Sequence, residues 1–182
     1  CGCKSLKEMN IPTSVVEIGN KCFKDCVSLT SVTIPTSVTR IGFGLFSACT
    51  GLNRLTLSKS LTELPDGCFS NCSSLKGIVI PKSVLRIGHN CFYGCGSLEK
   101  LVLPDLLKKI GQKCFHGCSS LEQLSIPSTV TDIGSECFSG CVNLAAVTIP
   151  QYFYNKFDSN TGFNKDFHIE YTRGVSYRRF NW

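Results

Sequence analysis

The chain has 182 residues, a formal net charge of +6 and 42% hydrophobic residues, yet it contains no run of about 20 apolar residues, which excludes an ordinary helical membrane span. Residues 1–150 contribute +4 (14 basic, 10 acidic) and residues 151–182 contribute +2 (5 basic, 3 acidic), without a basic stripe. Phosphate binding requires clustered lysine and arginine, so the charge pattern argues against a nucleic acid partner.

Cysteines recur every 23 residues from Cys3 to Cys141 and define six full copies of a repeat and part of a seventh. A fixed period of this length predicts a solenoid in which each turn packs only against its neighbours. We therefore expect one solenoid over residues 1–150 and a different segment over 151–182. Because the chain begins without methionine and inside a turn, we also expect it to be a fragment of a longer protein.

Each copy first carries leucine at its fourth position, as in Leu29, and aliphatic residues at its seventh and ninth positions, as in Val32 and Ile34. Inward residues two apart are typical of a strand, which we place from about the fifth to the ninth position. Proline, which has no N–H, should then stop the strand. The tenth position is proline in every copy except the third, where it is Ser58: Pro12, Pro35, Pro81, Pro104, Pro127 and Pro150.

The second half of each copy holds another aliphatic pair, such as Val15 with Ile18, and a glycine that we interpret as a sharp bend. Glycines of this kind are Gly19, Gly88 and Gly134. Phenylalanine follows as the last inward residue of all six complete copies, and we expect the rings to stack along the solenoid axis. These residues are Phe23, Phe46, Phe69, Phe92, Phe115 and Phe138.

The run Cys-x-x-Leu-x-x-Val-x-Ile-Pro-x-Ser-Val-x-x-Ile-Gly-x-x-Cys-Phe resembles the BspA-like class of leucine-rich repeat over residues 3–150. The resemblance implies a leucine-rich repeat solenoid of short parallel β-strands and turns with little helix. It also implies a non-catalytic protein-binding module, for cell-surface recognition or adhesion to host or matrix proteins. Departures cluster at Leu45, Ser58 and Pro65, and predict a local bend there.

Twelve of the 13 cysteines occupy two fixed repeat positions, and Cys1 is the odd one. Equivalent side chains on adjacent turns run parallel about 4.8 Å apart, which does not suit a disulfide, so we predict a ladder of buried thiols. The alternative is a set of local disulfides or metal clips within five Cys-x-x-x-Cys pairs. Zinc requires four ligands and only His89 and His116 lie near such pairs, so we predict neither a metal nor a cofactor.

The cysteines and the family resemblance favour different cellular compartments. Unpaired thiols favour a reducing compartment such as the cytoplasm, whereas the resemblance implies the cell surface or secretion. The alternative function is accordingly an intracellular scaffold or regulatory subunit that binds a protein partner through the solenoid face.

The outward positions of the strand face are the candidate partner-binding surface, because a curved parallel sheet is contiguous and preformed. The alternative is an ordinary solvated β face. The candidate residues on the face are Arg54, Thr56, Val79, Lys100 and Val102. A second row, at the fifteenth position, nearly alternates in charge and predicts ion pairs between turns: Glu17, Arg40, Glu63, Arg86, Lys109 and Asp132.

The two ends of the solenoid carry separate predictions. Residues 151–182 are rich in aromatic side chains, which predicts a cap over the apolar end of the solenoid. The alternative for the last residues is a binding patch of Arg178, Arg179 and Trp182. At the other end we expect a homodimer through an uncapped apolar edge, formed by Leu6, Met9 and Ile11.

Catalytic motifs are not found in the sequence, which has no Gly-rich phosphate loop, no H-E-x-x-H pair and no G-x-S-x-G elbow. His116 does lie between Cys114 and Cys118, which leaves a thiol nucleophile as a formal alternative. Both cysteines hold repeat positions, however, and histidine occurs there in one copy. We therefore predict that the chain is not an enzyme.

Overall fold

The computed structural model describes residues 2–150 and, for the backbone alone, His168–Tyr171. Over these residues the chain forms a parallel β-solenoid without helix, and each 23-residue copy makes one turn. No helix able to cross a membrane is found in this part of the chain. The strands are β1 (Glu8–Asn10), β2 (Glu17–Ile18), β3 (Ser31–Thr33), β4 (Arg40–Ile41), β5 (Arg54–Thr56), β6 (Glu63–Leu64), β7 (Gly77–Val79), β8 (Arg86–Ile87), β9 (Lys100–Val102), β10 (Lys109–Ile110), β11 (Gln123–Ser125), β12 (Asp132–Ile133), β13 (Ala146–Ile149) and β14 (His168–Tyr171).

The odd-numbered strands from β1 to β13 form the first strand row of the solenoid. Neighbouring strands pair in parallel at equivalent repeat positions, as Met9 does with Val32, but the ladder is interrupted between β5 and β7 and between β9 and β11, which are in contact without being paired. The predicted strands are confirmed in position, but every one begins one residue later than expected, and all except β13 also end one residue earlier and so span three residues. The turn before each strand accounts for the late start, since the N–H of the fourth residue, such as Leu29, donates to the first, Cys26.

The even-numbered strands from β2 to β12 form the second strand row, at the fifteenth and sixteenth positions of each copy. This row was not predicted from the sequence, because two residues are too few to show the alternation of a strand. Its pairing is again parallel and in register, as between Lys109 and Asp132. Across every junction between the described turns, at least one of the two rows is continuous.

The strand β14 extends the first row beyond residue 150 by pairing in parallel with β13. Its register joins Ala146 to His168, one residue less than the 23-residue offset of the repeats. The other residues of the predicted capping segment 151–182 lie outside the described part of the chain. Capping by that segment stays a prediction.

The core contains a continuous stack of the six repeat phenylalanines, as predicted. Ring centroids of adjacent turns are 5.3–6.0 Å apart, with interplanar angles of 9–21°. Phe46, Phe69, Phe92, Phe115 and Phe138 are fully or almost fully buried. Offset stacks of this spacing contribute beyond the burial of apolar area, so the rings also fix the alignment of successive turns.

Glycine at the seventeenth position allows close approach of two turns, which corrects its interpretation as a bend. A Cβ atom added to Gly111 would lie 2.5 Å from backbone atoms of the preceding turn, at Gly88 and His89. The φ angles of Gly88 and Gly111 lie outside the left-handed region. Left-handed backbone occurs elsewhere in the turn, at residues such as Gly44 (φ 60°) and Gly94 (φ 68°).

The ladder of the second strand row is interrupted between β4 and β6, where the sequence departs from the repeat. At other junctions the N–H of the seventeenth residue donates to the preceding turn, as from Gly42 to Ile18 O and from Gly88 to Leu64 O, both 2.8 Å. The equivalent residue here is Pro65, which has no N–H to donate to Ile41 O. Its Cβ also prevents the close approach that glycine permits. The structure thus has a broken ladder where a local bend was predicted.

Ser58 compensates for part of this irregularity. Its hydroxyl is fully buried and donates to Val38 O of the preceding turn, at 2.6 Å. In regular turns the twelfth residue supplies that contact, as Ser83 does to Leu61 O at 2.6 Å. In the third turn the twelfth residue is Ser60, which instead donates to Thr36 O. The departures Ser58 and Pro65 therefore belong to one altered junction.

Candidate binding surface

The outward face of the first strand row brings the five predicted surface residues together. β5, β7 and β9 are consecutive neighbours, and Val79 pairs in register with Val102 on the next strand. Arg54 and Thr56 lie at the equivalent outward positions of β5, and Lys100 lies beside Gly77. We call the outward side chains of these three strands the β5–β9 face.

Two adjacent valines give this face an apolar centre. Val79 is 81% exposed and Val102 is 76% exposed, the two highest values among the large hydrophobic residues that are exposed in the described structure. The residues between the outward positions point the other way, since Ile78 and Leu101 are buried in the core. Strand alternation therefore forces these valines outward, and β propensity alone explains why valine is tolerated there.

Two cations lie beside the apolar centre. Arg54 and Lys100 are both exposed, and within the described residues neither has a carboxylate oxygen within 4.0 Å. Gly77 separates them, so no side chain fills the space between their strands. Paired strands are about 4.8 Å apart, and β5 contacts β7 without a ladder between them, so the two side chains start from positions at least roughly 10 Å apart.

Charged side chains at the fifteenth position, in the second strand row, form ion pairs between turns. The first four of them pair as predicted. The Arg40 guanidinium lies 2.6 Å from the Glu17 carboxylate, and Arg86 lies 3.3 Å from Glu63. Arg86 also contacts Asp66 at 3.4 Å. These pairs are exposed, so each stabilises the fold by only about 0–1 kcal/mol and leaves little net charge for a partner.

A cleft of about 390 Å³ opens on the second strand row at the altered junction. Sequence reasoning located the irregular junction but not this cleft. Its walls include Glu17, Arg40, Phe43, Glu63, Asp66 and Arg86. The three carboxylates there pair with the two arginines, which leaves the cleft a net charge of only −1 to attract a ligand.

The repeat cysteines from Cys26 to Cys141 form the predicted ladder of buried thiols, whereas Cys3 and Cys22, which were predicted to belong to it, are exposed. From Cys49 onward, each repeat-opening thiol donates to the carbonyl oxygen of the phenylalanine 26 residues before it, at 3.0–3.2 Å, as Cys72 does to Phe46. In the four pairs from Cys68/Cys72 to Cys137/Cys141 both sulfurs are buried thiols. No metal-binding group of His, Cys, Asp or Glu occurs among the residues that the structure describes.

The arrangement of His116 with Cys114 and Cys118 does not favour a nucleophile. Both thiols are fully buried, and burial raises their pKa well above the ordinary value, with nearby thiols adding to the effect. His116 stacks on Tyr93 with ring centroids 4.9 Å apart. Its Nδ1 is buried without a hydrogen-bond partner in the described structure, so this nitrogen is not engaged with either thiol. A nucleophilic cysteine needs a lowered pKa, which is the opposite of what burial produces here.

The other predicted site residues lie at the ends of the chain. Arg178, Arg179 and Trp182 fall outside the described residues. Leu6 and Met9 are partly buried and pack on the core, and Ile11 is buried. The homodimer through this end stays a prediction.

Comparison with known proteins identifies the repeat. A family described as a BspA-type leucine-rich repeat region matches six copies, over residues 1–96 and 85–170. The chain belongs to this family. The match to the BspA-type repeats extends to residue 170 and therefore includes the first three residues of β14. None of the curated proteins matches the chain.

Solved bacterial structures share the fold of this BspA-type chain. A leucine-rich repeat protein from Bacteroides ovatus ATCC 8483 is 27% identical with a TM-score of 0.70, and the match covers 94% of this chain and 47% of that one. One from Eubacterium ventriosum ATCC 27560 is 31% identical with a TM-score of 0.69, covering 74% and 37%. A leucine-rich cell surface protein from Faecalibacterium prausnitzii A2-165 is 31% identical with a TM-score of 0.55, covering 90% and 31%. The chain thus spans between about a third and about half of these proteins.

Proposed function

We propose that this chain is a non-catalytic protein-binding module that recognises its partner through the β5–β9 face, in cell-surface recognition or adhesion to host or matrix proteins. The observation that carries the proposal is the pair of neighbouring exposed valines, Val79 and Val102, on a preformed sheet. Adjacent exposed apolar side chains with a polar rim are typical of interaction sites. The similarity to a leucine-rich cell surface protein supports the setting.

The thiols do not separate this proposal from an intracellular scaffold or regulatory subunit. Burial raises the pKa of Cys49 and Cys95 to about 12. The thiolate is the form that oxidises, so these thiols persist in an oxidising compartment as well as in a reducing one. Free thiols therefore do not by themselves favour a reducing compartment for this chain.

The test is binding of the immobilised chain to a panel of purified extracellular matrix proteins, measured by biolayer interferometry. For any protein that binds, Val79→Glu with Val102→Glu should weaken binding by about tenfold or more, because it introduces charge at the apolar centre. Val142→Glu is the matched control, since Val142 is 65% exposed but lies outside the first strand row.

Two results would overturn the proposal. Failure of the whole panel to bind would remove adhesion to matrix proteins. Equal binding by the double variant and the unmutated chain would show that the partner uses another surface.

A further inference from the structure

The charges of the β5–β9 face have one sign, which points to the chemistry of the partner. From β3 to β11 the outward positions of the first strand row carry only two charged side chains, Arg54 and Lys100. The arginines of the second strand row, Arg40 and Arg86, are held by carboxylates at 2.6–3.4 Å. No such internal partner lies within 4.0 Å of Arg54 or Lys100 in the described structure. Their attraction for a carboxylate on another molecule is therefore not offset by internal pairing.

The spacing along the strands adds a second condition. Arg54 and Lys100 lie at the sixth position of their copies, and Val79 and Val102 lie at the eighth. Two residues of extended chain span about 6.6 Å, so the space over Gly77 between the cations lies roughly that distance from the valines. A partner segment in extended conformation presents its residues i and i+2 on one side at the same spacing.

We propose that the partner presents a short extended segment in which an acidic and an apolar side chain are two residues apart. The carboxylate lies over Gly77 between Arg54 and Lys100, and the apolar side chain packs on Val79 and Val102. This inference rests on the proposed function and names the partner chemistry of the same face. Nucleic acids and sulfated glycans fit less well, because they require more than two cations and have no use for exposed valines.

The experiment is selection of a random peptide library, displayed on phage, against the 182-residue chain, with counter-selection against the Val79→Glu, Val102→Glu variant. Selected peptides should be enriched in aspartate or glutamate two residues from an apolar residue, in either order. A synthetic peptide of this set should lose about tenfold in affinity when its acid is replaced by the amide, as expected for loss of a charged contact.

Charge reversal on the protein provides the matched comparison. Arg54→Glu with Lys100→Glu should weaken the acidic peptide by about tenfold or more and strengthen a peptide with lysine in place of the acid. Lys59→Glu with Lys82→Glu changes the net charge equally at exposed positions off the face and should leave both affinities unchanged.

The outcomes separate this inference from the proposed function. Selected peptides that need Val79 and Val102 but show no acidic preference would overturn the inference and support the binding face. Heparin or oligonucleotide binding that Arg54→Glu with Lys100→Glu abolishes, without any selected peptide, would overturn it in favour of a polyanion. Peptides that bind both face variants as tightly as the unmutated chain would overturn both.

Discussion

Each repeat-opening cysteine from Cys49 onward fills an apolar slot and donates one weak hydrogen bond, and both roles require the protonated thiol. The sulfur of Cys95 lies 3.1 Å from Phe69 O, which also accepts the N–H of Cys72. A carbonyl oxygen has two lone pairs, so it can accept the thiol as well as the backbone N–H. The other cysteine position of the repeat, directly before the phenylalanine, is filled by Leu45 in one turn. That position therefore does not require a hydrogen-bond donor.

Stability of the chain should therefore fall at alkaline pH. Burial raises the pKa of Cys141 to about 11 and those of Cys49 and Cys95 to about 12. An unfolded thiol titrates near pH 8.5. Above that pH the unfolded chain binds fewer protons than the folded chain, so the free energy of unfolding decreases by up to about 1.4 kcal/mol per pH unit for each thiol.

Urea denaturation at intervals from pH 7 to 10.5 measures this slope. The free energy of unfolding should be nearly constant below about pH 8 and should then fall steeply. Cys95→Ala lowers the overall stability. It should also make the decrease of the unfolding free energy with pH less steep, because one titrating thiol fewer contributes to it. A flat profile between pH 8.5 and 10.5 would contradict protonated, buried thiols.

Glycine at the seventeenth position is required where strands of the second strand row approach the turn before them. Gly111→Ala would place its Cβ 2.5 Å from Gly88 backbone, so we expect destabilisation of roughly 2 kcal/mol or more. At Gly19, the same repeat position, nothing in the described structure lies within 4 Å of an added Cβ. Gly19→Ala should therefore be neutral or stabilising by up to about 1 kcal/mol.

Thermal and urea unfolding of the two variants side by side measure the difference. Both substitutions change the entropy of the unfolded chain equally, so only the contact with the preceding turn distinguishes them. Equal stability of the two variants would show that the glycines serve the turn conformation instead, which was our interpretation from sequence.

The elements differ in how far the sequence predicts them. The first strand row follows from three local signals: the leucine, the inward aliphatic pair and the proline after it. The second strand row shows no alternation of inward and outward residues in the sequence, because strands such as β8 (Arg86–Ile87) have only two residues. The role of Gly111 depends on its distance from the backbone of the preceding turn. This distance cannot be deduced from the residues around Gly111 in the sequence.

At the scale of the whole molecule, the repeat period predicts which residues share a surface. Val79 and Val102 lie side by side because the register of β7 and β9 places equal repeat positions next to each other, and Arg54 lies on the neighbouring strand β5. The period does not predict which charges stay unpaired, since this depends on the side-chain distances. Arg86 and Arg54 are both arginines on strands, yet only Arg86 contacts carboxylates in the described structure.

The altered junction at Pro65 should divide the solenoid into two parts of unequal stability. A turn of a solenoid contacts only its neighbours, so a lost ladder bond weakens one interface and leaves the others unchanged. The second strand row lacks the donor to Ile41 O at this junction, whereas Gly88 and Gly111 supply it at the next two. The turns before Pro65 should therefore open together at a lower free energy than the turns after it.

Native-state hydrogen exchange of the unmutated chain and of Pro65→Gly tests this division. Glycine supplies the missing N–H and permits close approach, so amides before the junction, such as that of Gly42, should exchange roughly three- to tenfold more slowly in the variant. Pro127→Gly is the control, because it makes the same change in unfolded-chain entropy at a proline of the tenth position, where no ladder donor is missing. Protection that rises equally in both variants, or in neither, would contradict a junction weakened by the missing hydrogen bond. The comparison does not depend on fraying of the first turn, since fraying is common to all three proteins.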